Sequence, residues 1–392
     1  MSNEILSTST TDFFSVFADV EGADLAAWRR AQTFGAETTP QINEYWERAE
    51  YPIHLVKRLG ELNLIADGLD VPGLEKMSPL AAGLVMMEVA RADASMGTVI
   101  AVQGGLALRS IHMWGSPEQK EKWLGPIARC EQLAAFGLTE PDHGSDSVAL
   151  STTARREGDE WVLNGQKRWI GNGSVGDVTV IWARMDDGEV GGFIVEQDTP
   201  GYRAETIQGK VSMRAIPQAL ITMTDMRVPE ANRLPGATSF RATSSVLFTT
   251  RSGISWMALG SAIACYEAAL EHAQTRIQFG KPLASYQLIQ QRLVNMLDEV
   301  TSMAMYCRRL ADLEAVGKLI PQQGSMAKLH NTRAARRIAA EARDMLGGTG
   351  ILLEKHVMRH MADIEAMHTF EGTESMQSLI LGKKITGVGA FR

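Results

Sequence analysis

The stretch Trp161-Val-Leu-Asn-Gly-Gln-Lys-Arg-Trp-Ile170 marks a change of hydrophobic period in the middle of the chain. Its apolar residues follow the short period of a strand, and Asn164-Gly165 tolerates the positive φ angles of a tight hairpin. The stretch therefore predicts two strands joined by a turn. A second turn is predicted at Asp186-Asp187-Gly188. Further strands are predicted at Val178–Arg184, Gly192–Glu196 and Leu220–Met223.

On both sides of this β-rich region the apolar residues return to helical spacing. Before it, Leu80–Arg91 and Pro117–Arg129 predict two helices. After it, apolar residues recur three and four apart from Leu293 to Leu310, and Pro321 begins a further helix that Gly347-Gly348 ends. The chain is therefore predicted to contain an N-terminal helical domain (1–132), a middle β-domain (133–240) and a C-terminal helical domain (241–392).

Length and composition limit the classes of protein to which the chain can belong. It has 392 residues, 45% of them hydrophobic, which is enough for two or three packed cores. It has no uninterrupted run of 18 apolar residues, so no membrane-spanning helix is expected, and its polar N-terminus does not resemble a signal peptide. Three dispersed cysteines favour a reducing, cytoplasmic compartment. The net charge of −7 argues against nucleic-acid binding.

Five short stretches, in this order along the chain, resemble a known family. They are Phe136-Gly-Leu-Thr-Glu-Pro-Asp-His-Gly-Ser-Asp146, Gln166-Lys-Arg-Trp-Ile-Gly-Asn172, Arg276-Ile-Gln-Phe-Gly280, Met345-Leu-Gly-Gly-Thr-Gly350 and Phe370-Glu-Gly-Thr373. Together they resemble the acyl-CoA dehydrogenases and the related short-chain acyl-CoA oxidases. The terminal stretch Leu379–Gly387 is similar to the glutaryl-CoA dehydrogenase and short-chain oxidase branches in particular. The resemblance implies a mainly α fold with a central, β-barrel-like domain and a C-terminal four-helix bundle.

The reaction that the resemblance implies is the FAD-dependent α,β-dehydrogenation of an acyl-CoA thioester to the trans-2-enoyl-CoA, a step of fatty acid metabolism. Glu371 is the predicted base for the α-proton, while a hydride passes from the β-carbon to flavin N5. The family's thioester oxygen accepts hydrogen bonds from a ribityl hydroxyl and from the backbone N–H of the base. One branch places its glutamate on another helix, at a position that here is Thr250, followed by Arg251. Read in isolation, Glu-Gly-Thr is also compatible with a surface or helix-capping glutamate.

The resemblance also implies which residues bind the flavin, some of them from a neighbouring subunit. Trp169 is expected to pack on the ring, where a planar aromatic offers a large contact area; by itself it also fits a core tryptophan in a strand. Arg276 is expected to bind the pyrophosphate with its forked guanidinium; by itself it also fits a solvated charge. The predicted FAD-binding set is Phe136, Leu138, Thr139, Trp169, Gly171, Arg276, Gln278, Phe279, Gln287, Gly347, Gly348 and Thr373.

Two departures from the family pattern bear on the substrate and on the electron acceptor. Gly97 stands where the glutaryl-CoA branch has an arginine for the distal carboxylate. A buried, unpaired carboxylate is costly, so a neutral, short-chain acyl-CoA is predicted rather than glutaryl-CoA. Gly171 stands where most dehydrogenases have Thr or Ser, and the missing hydroxyl is expected to leave space for dioxygen near flavin N5. An oxidase that uses O2 is therefore the alternative to a dehydrogenase that reduces an electron-transferring flavoprotein.

The remaining expectations concern substrate contacts, metals and assembly. Ser145, Arg251 and Gly372 are the predicted substrate-binding residues. His356 and His360 lie four apart but lack an accompanying carboxylate motif, so no metal site is predicted. The resemblance implies a homotetramer, a dimer of dimers whose C-terminal helices form the central bundle. A non-catalytic scaffold and a flavin monooxygenase are further alternatives, and the retained glutamate argues against both.

Overall fold

The computed structural model describes residues 11–390, so the ends of the predicted outer domains, 1–10 and 391–392, lie outside the described residues. The N-terminal region is helical, and two of its helices begin at Ser-Pro pairs. Ser78 accepts a hydrogen bond from the backbone N–H of Ala81, and Ser116 forms a capping box with Gln119. The helices are α1 (Gly22–Thr38), α2 (Ile42–Arg48), α3 (Ile53–Glu61), α4 (Pro79–Ala92), α5 (Ala94–Ile100), a π-helical segment (Ala101–Leu108), α6 (Arg109–Trp114) and α7 (Pro117–Ala128). The predicted helices at 80–91 and 117–129 are confirmed.

The middle region is a curled sheet of seven strands. The strands are β1 (Ala134–Gly137), β2 (Thr153–Glu157), β3 (Glu160–Gly171), β4 (Val178–Met185), β5 (Val190–Glu196), β6 (Tyr202–Thr206) and β7 (Gln218–Pro229). Their order is β1-β4-β2-β3-β7-β6, and β5 pairs with β4. The turn predicted at Asp186–Gly188 is confirmed, because β4 and β5 are antiparallel neighbours joined there. The sheet brings the ends of β1 and β3, which carry two of the family stretches, to the same side of the domain.

The hairpin predicted at Asn164-Gly165 is wrong, because both residues lie inside the single long strand β3. The register of β3 against β7 shifts between Leu163 and Gly165, which is a β-bulge. Gly165 has φ +144°, and a β-carbon there would lie 2.6 Å from the hydroxyl of Thr152. Asn164-Gly165 therefore forms the bulge, and Gly165 allows the close approach of Thr152. The turn between β2 and β3 lies at Gly158 instead.

The C-terminal region is again helical. It comprises α8 (Phe240–Thr275), a short hairpin of β8 (Ile277–Gln278) and β9 (Lys281–Pro282), α9 (Gln287–Ala315), α10 (Pro321–Met345), α11 (Val357–Thr369) and α12 (Glu374–Thr386). Pro321 begins α10 as predicted, and the glycine pair follows its end. Within residues 11–390, α8 alone is long and apolar enough to cross a membrane, and 72% of its apolar window is buried inside the protein. It is packed as the core helix of this region, between α4 and α10.

The helical regions and the sheet share a core at their junction. One apolar cluster joins helices of both helical regions to the middle-domain segment around Met213. At the same junction the buried guanidinium of Arg359 on α11 pairs with the buried carboxylate of Asp93. Asp363, one turn further along α11, accepts hydrogen bonds from Trp46 Nε1 (3.0 Å) and from the backbone N–H of Met213 (2.6 Å). The helical, β, helical organisation predicted from the sequence is confirmed.

Candidate active site

Glu371 lies in the tight loop between α11 and α12, at the face of the core helix α8. Its backbone is left-handed, with φ +54°, and Gly372 follows with φ +87°. A left-handed conformation is costly for a residue with a β-carbon, so the surrounding structure must hold it. Thr373 ends the loop as the N-cap of α12, with its hydroxyl accepting from the backbone N–H of Met376. The loop therefore presents Glu371 in one defined orientation.

Glu371 is half-buried, and its carboxyl group is hydrogen-bonded. Thr250 on α8 donates its hydroxyl to Glu371 Oε2 at 2.6 Å. Burial raises the pKa of Glu371, and the Thr250 hydroxyl and the charges of Lys328 and Arg251 oppose that rise only in part. A carboxyl group with a raised pKa is suited to exchanging a proton near neutral pH.

Two residues that the sequence did not single out hold the backbone of this loop. Lys328 on α10 donates from Nζ to the carbonyl oxygens of Phe370 and Gly372. Gln377 on α12 donates from Nε2 to the carbonyl oxygens of Glu371 and Gly372, both at 2.9 Å. Both side chains are buried. Their signal in the sequence is weak, because the buried stripe of α10 consists largely of small and polar residues.

Two of the three predicted substrate residues lie at this loop. Gly372 is part of it, and Arg251 lies beside it on α8, where burial lowers the pKa of its guanidinium and the charge of Glu371 opposes that change. Arg251 Nε is buried without a hydrogen-bond partner among residues 11–390. Ser145 lies elsewhere, exposed in the loop between β1 and β2. The roles predicted for these residues stay predictions.

Predicted flavin residues of the middle domain meet where β1 ends beside β3. The backbone N–H of Arg168 donates to the carbonyl of Thr139 at 2.7 Å, and the buried ammonium of Lys167 donates to the carbonyl of Leu138 at 3.1 Å. Trp169 follows with φ +65° and an indole that is 50% exposed. A large, exposed aromatic face on a strongly held strand is available to a flat ligand. The core alternative for Trp169 does not hold, because core tryptophans are buried.

The end of β1 is fixed by the buried ion pair of Lys167 and Glu140, whose charged atoms are 2.8 Å apart. Burial opposes the charge of Glu140, but the Lys167 ammonium and the donors Ser151 and Thr152 lower its pKa to about 2. Breaking a buried pair of this kind costs several kcal/mol, on the order of 3–5. The pair is thus a rigid support for Leu138 and Thr139.

Two further residues of the predicted set lie at this corner. Phe136 is 8% exposed and packs against Trp182, and its predicted flavin contact stays a prediction. Gly171 lies close to the π-helical segment. A β-carbon at Gly171 would lie 3.0 Å from Val102 Cγ2, because the π-helical segment approaches closely there. Val102 therefore crowds the position of the missing side chain, and the role predicted for Gly171 stays a prediction.

The remaining predicted cofactor residues lie on the outer surface of the C-terminal helices. Phe279 is 95% exposed at φ +50°, at the tip of the β8–β9 hairpin. The hairpin is tied to the start of α9 by Tyr286, whose hydroxyl donates to the carbonyl of Gln278. The other exposed members of the set in this region are Arg276, Gln278, Gln287, Gly347 and Gly348. An exposed aromatic ring at the tip of a hairpin is suited to a contact with another molecule. The predicted roles of these residues stay predictions.

Metal binding has no structural support in the part of the chain that is described. Residues 11–390 contain no group of three or more His, Cys, Asp or Glu side chains that could hold a metal ion. His356 and His360 instead lie close to Arg359, and burial lowers the pKa of both imidazoles. They belong to the domain junction.

Known proteins match this chain over nearly its whole length. Models of the acyl-CoA dehydrogenase N-terminal, middle and C-terminal domains match residues 25–131, 135–226 and 240–386. The mitochondrial short-chain specific acyl-CoA dehydrogenase of Mus musculus is 36% identical over 342 residues, covering 84% of this chain and 82% of that protein.

Solved structures agree with the sequence comparison. The crystal structure of glutaryl-CoA dehydrogenase from Mycobacterium smegmatis is 41% identical, with a TM-score of 0.95, and the match covers 97% of this chain and 99% of that one. A structure of a glutaryl-CoA dehydrogenase from the same organism in complex with FADH2 is 36% identical, with a TM-score of 0.95 and the same coverage. The chain belongs to the acyl-CoA dehydrogenase family of oxidoreductases.

Proposed function

We propose that this protein is an FAD-dependent dehydrogenase of a neutral, short-chain acyl-CoA, with Glu371 as the base that removes the α-proton. The observation that carries the proposal is the state of Glu371. Glu371 is half-buried, and its carboxyl group has a raised pKa and is held by Thr250 in a loop of fixed backbone conformation. This is the arrangement that a base needs in order to take a proton from a weakly acidic carbon.

In the proposed step Glu371 takes the proton as the Cα–H bond breaks, and the electron pair of that bond moves toward the thioester carbonyl. The negative charge that develops on the carbonyl oxygen needs a fixed donor. Within residues 11–390 the backbone N–H of Glu371 donates to no protein acceptor, so it is available for this role. Bound FAD would accept the hydride that leaves the β-carbon.

The described residues fit a flavin at the corner beside Trp169. Its indole is a flat apolar surface, half exposed, and the neighbouring main chain at Leu138 and Thr139 is held by Lys167 and Arg168. A heteroaromatic ring system gains most from stacking and from nearby backbone groups. We infer that this corner holds the ring, and the FADH2 in the Mycobacterium smegmatis relative supports that inference.

The substrate is inferred to be neutral because of the environment of Gly97. This residue is buried in α5, and a β-carbon there would lie 3.3 Å from Ala90 Cβ and 3.4 Å from Met257 Cε. Apolar groups therefore occupy the place at which the glutaryl-CoA branch carries its cation. The two Mycobacterium smegmatis structures are glutaryl-CoA dehydrogenases, and the mouse relative is specific for short chains. The apolar packing around Gly97 favours the second substrate class.

For the electron acceptor we infer a carrier flavoprotein. The alternative, direct use of O2, had its support in free space beside Gly171, and the close approach of Val102 to that position weakens this support. For the assembly we infer a homotetramer. Large apolar side chains of α9 are exposed in the single chain, including Leu288 at 75%, Val294 at 63% and Met305 at 52%. Burial of such a face between subunits would remove this exposure.

The proposal is tested by comparing E371Q with E374Q. Both replace a glutamate by its amide, three residues apart, but Glu374 pairs with Arg333 at the surface. We expect E371Q to lose about 10²–10⁴-fold in kcat with butyryl-CoA while still binding flavin, and E374Q to stay close to the wild type. Turnover by E371Q at the wild-type rate would overturn the proposal.

A further inference from the structure

We propose that Lys328 is a positioning residue that orients and polarises the peptide group whose N–H binds the thioester oxygen. The inference rests on the proposed function and adds a residue to its machinery. Lys328 is 1% exposed and lies in the N-terminal third of α10, far from Glu371 in sequence. Its ammonium group meets the carbonyl oxygen of Phe370 at 2.5 Å and that of Gly372 as well.

The position of these two contacts is what gives Lys328 its role. The carbonyl of Phe370 and the N–H of Glu371 belong to one planar peptide group, and in a trans peptide they point in opposite directions. The ammonium that holds the carbonyl therefore turns the N–H away from α10, on the side where it meets no acceptor within the described range 11–390. A charge-assisted hydrogen bond to the carbonyl also strengthens the N–H as a donor, because hydrogen bonds in a chain polarise one another.

The same two contacts stabilise the unusual backbone of Glu371. They hold the carbonyls on either side of it, and Glu371 itself sits at φ +54°. A left-handed residue with a β-carbon costs roughly 1–2 kcal/mol. Gln377 holds the carbonyl of Glu371 and shares that of Gly372, but it does not contact the carbonyl of Phe370. Among residues 11–390, Lys328 is the side chain that hydrogen-bonds to the peptide group carrying the donor.

The charge of Lys328 also acts on the base itself. Burial lowers the pKa of Lys328 to about 8, the carboxylate of Glu371 raises it, and the nearby Arg251 lowers it. Burial lowers the pKa of the His368 imidazole on α11, and the charge of the Lys328 ammonium contributes to the same change. Below about pH 8 the ammonium is the main form, so it favours the carboxylate of Glu371 in the range where the enzyme needs its base ionised.

The experiment compares K328M with the neutral, matched variant Q377M, which removes hydrogen bonds to the same loop but no charge. The acidic limb of the pH profile of kcat/KM for butyryl-CoA reports the ionisation of the base, Glu371. We expect K328M to lower kcat at least about tenfold, since a whole oxyanion donor is worth about 10²–10³ in rate. We also expect its acidic limb to move to higher pH. Q377M should keep the wild-type limb, and K328R should move the alkaline limb upward because arginine stays charged.

A second readout separates the oxygen contact from proton transfer. In the E371Q background, the affinity for butyryl-CoA is compared with that for S-butyl-CoA, a thioether without the carbonyl oxygen, using the flavin absorbance. Adding K328M should lower the affinity ratio of butyryl-CoA to S-butyl-CoA about fivefold or more, which corresponds to the energy of one charge-assisted hydrogen bond. Adding Q377M should leave this ratio unchanged. If K328M does not fold, K328Q removes the same charge with less loss of polarity.

The outcomes distinguish this inference from the proposed function. Turnover by E371Q would remove the proposed function and this inference with it. A different result would overturn the role of Lys328 alone. In that result E371Q is inactive, but K328M matches the wild type or Q377M in its acidic limb, its kcat and its preference for the thioester.

Discussion

The hydroxyl of Thr250 lies 2.6 Å from Glu371 Oε2 and 3.1 Å from the carbonyl oxygen of Leu247. A hydroxyl has one proton, so it can donate to only one of these acceptors. When Glu371 is ionised, Thr250 donates to the carboxylate. When Glu371 is protonated, it can donate to Thr250, which then donates to Leu247. The pair can therefore satisfy both protonation states of the base without moving the backbone.

Replacing Thr250 by valine should make the base harder to ionise. The hydrogen bond from Thr250 lowers the pKa of Glu371, so T250V raises that pKa further and the acidic limb of kcat/KM moves to higher pH. Below the limb we expect a loss of about tenfold, the equivalent of about 1.4 kcal/mol for a hydrogen bond to a charged group. The pH profile with butyryl-CoA measures the shift.

Thr249 provides the matched control for this experiment. Its hydroxyl donates to the carbonyl of Val246 at 2.8 Å, and it does not contact Glu371. T249V therefore removes a comparable hydroxyl from the same helix and should leave the limb in place. An unchanged limb in T250V, or an equal shift in T249V, would contradict the coupling between Thr250 and the base.

The apolar packing of Gly97 leads to a prediction about substrate charge. We expect kcat/KM for butyryl-CoA to exceed that for glutaryl-CoA by about a hundredfold or more, because a buried carboxylate without a partner costs several kcal/mol. The methyl ester of glutaryl-CoA is the control for chain length, since it carries a similar chain without the charge, and it should recover most of the rate. Steady-state rates for the three thioesters decide this. Equal rates for glutaryl-CoA and butyryl-CoA would show that a cation reaches the acyl pocket.

Asp363 at the domain junction should make stability depend on pH. Burial, with a smaller contribution from Asp93, raises the pKa of Asp363 to about 7 from its ordinary value of 3.8. The folded state therefore binds this proton more tightly than the unfolded state does. The stabilisation is complete below about pH 4 and is lost as the pH rises through about 7.

The variant D363N removes the titration but keeps an acceptor for Trp46 and Met213. At pH 8 we expect its Tm to be at least about 2 °C above that of the wild type, and at pH 5 we expect no gain. Thermal unfolding at the two pH values measures the difference. D312N is the control, because Asp312 is an exposed partner of Arg308 and should show no such dependence. A D363N protein that loses stability equally at both pH values would refute the prediction.

The sequence by itself determined the three-part fold, because hydrophobic period reports which side of a helix or strand is buried. It also predicted the turn at Asp186–Gly188 and singled out Glu371 as the candidate base, because the family stretches are local in sequence and can be recognised without knowledge of contacts. Capping residues such as Ser116 act on their own helix, and the corresponding start at Pro117 was predicted correctly.

Only the tertiary structure decided how polar and small residues are used. Asn164-Gly165 has the composition of a hairpin, but β2 and β7 on either side of β3 turn it into a bulge. The surroundings of Gly171 depend on the approach of Val102. The contacts of Lys328 depend on a separate loop, which brings its carbonyl groups to the ammonium. The reason is that local sequence records the preference of a segment for burial or for a turn. The partner of a buried polar group is chosen by packing between segments that are distant in sequence.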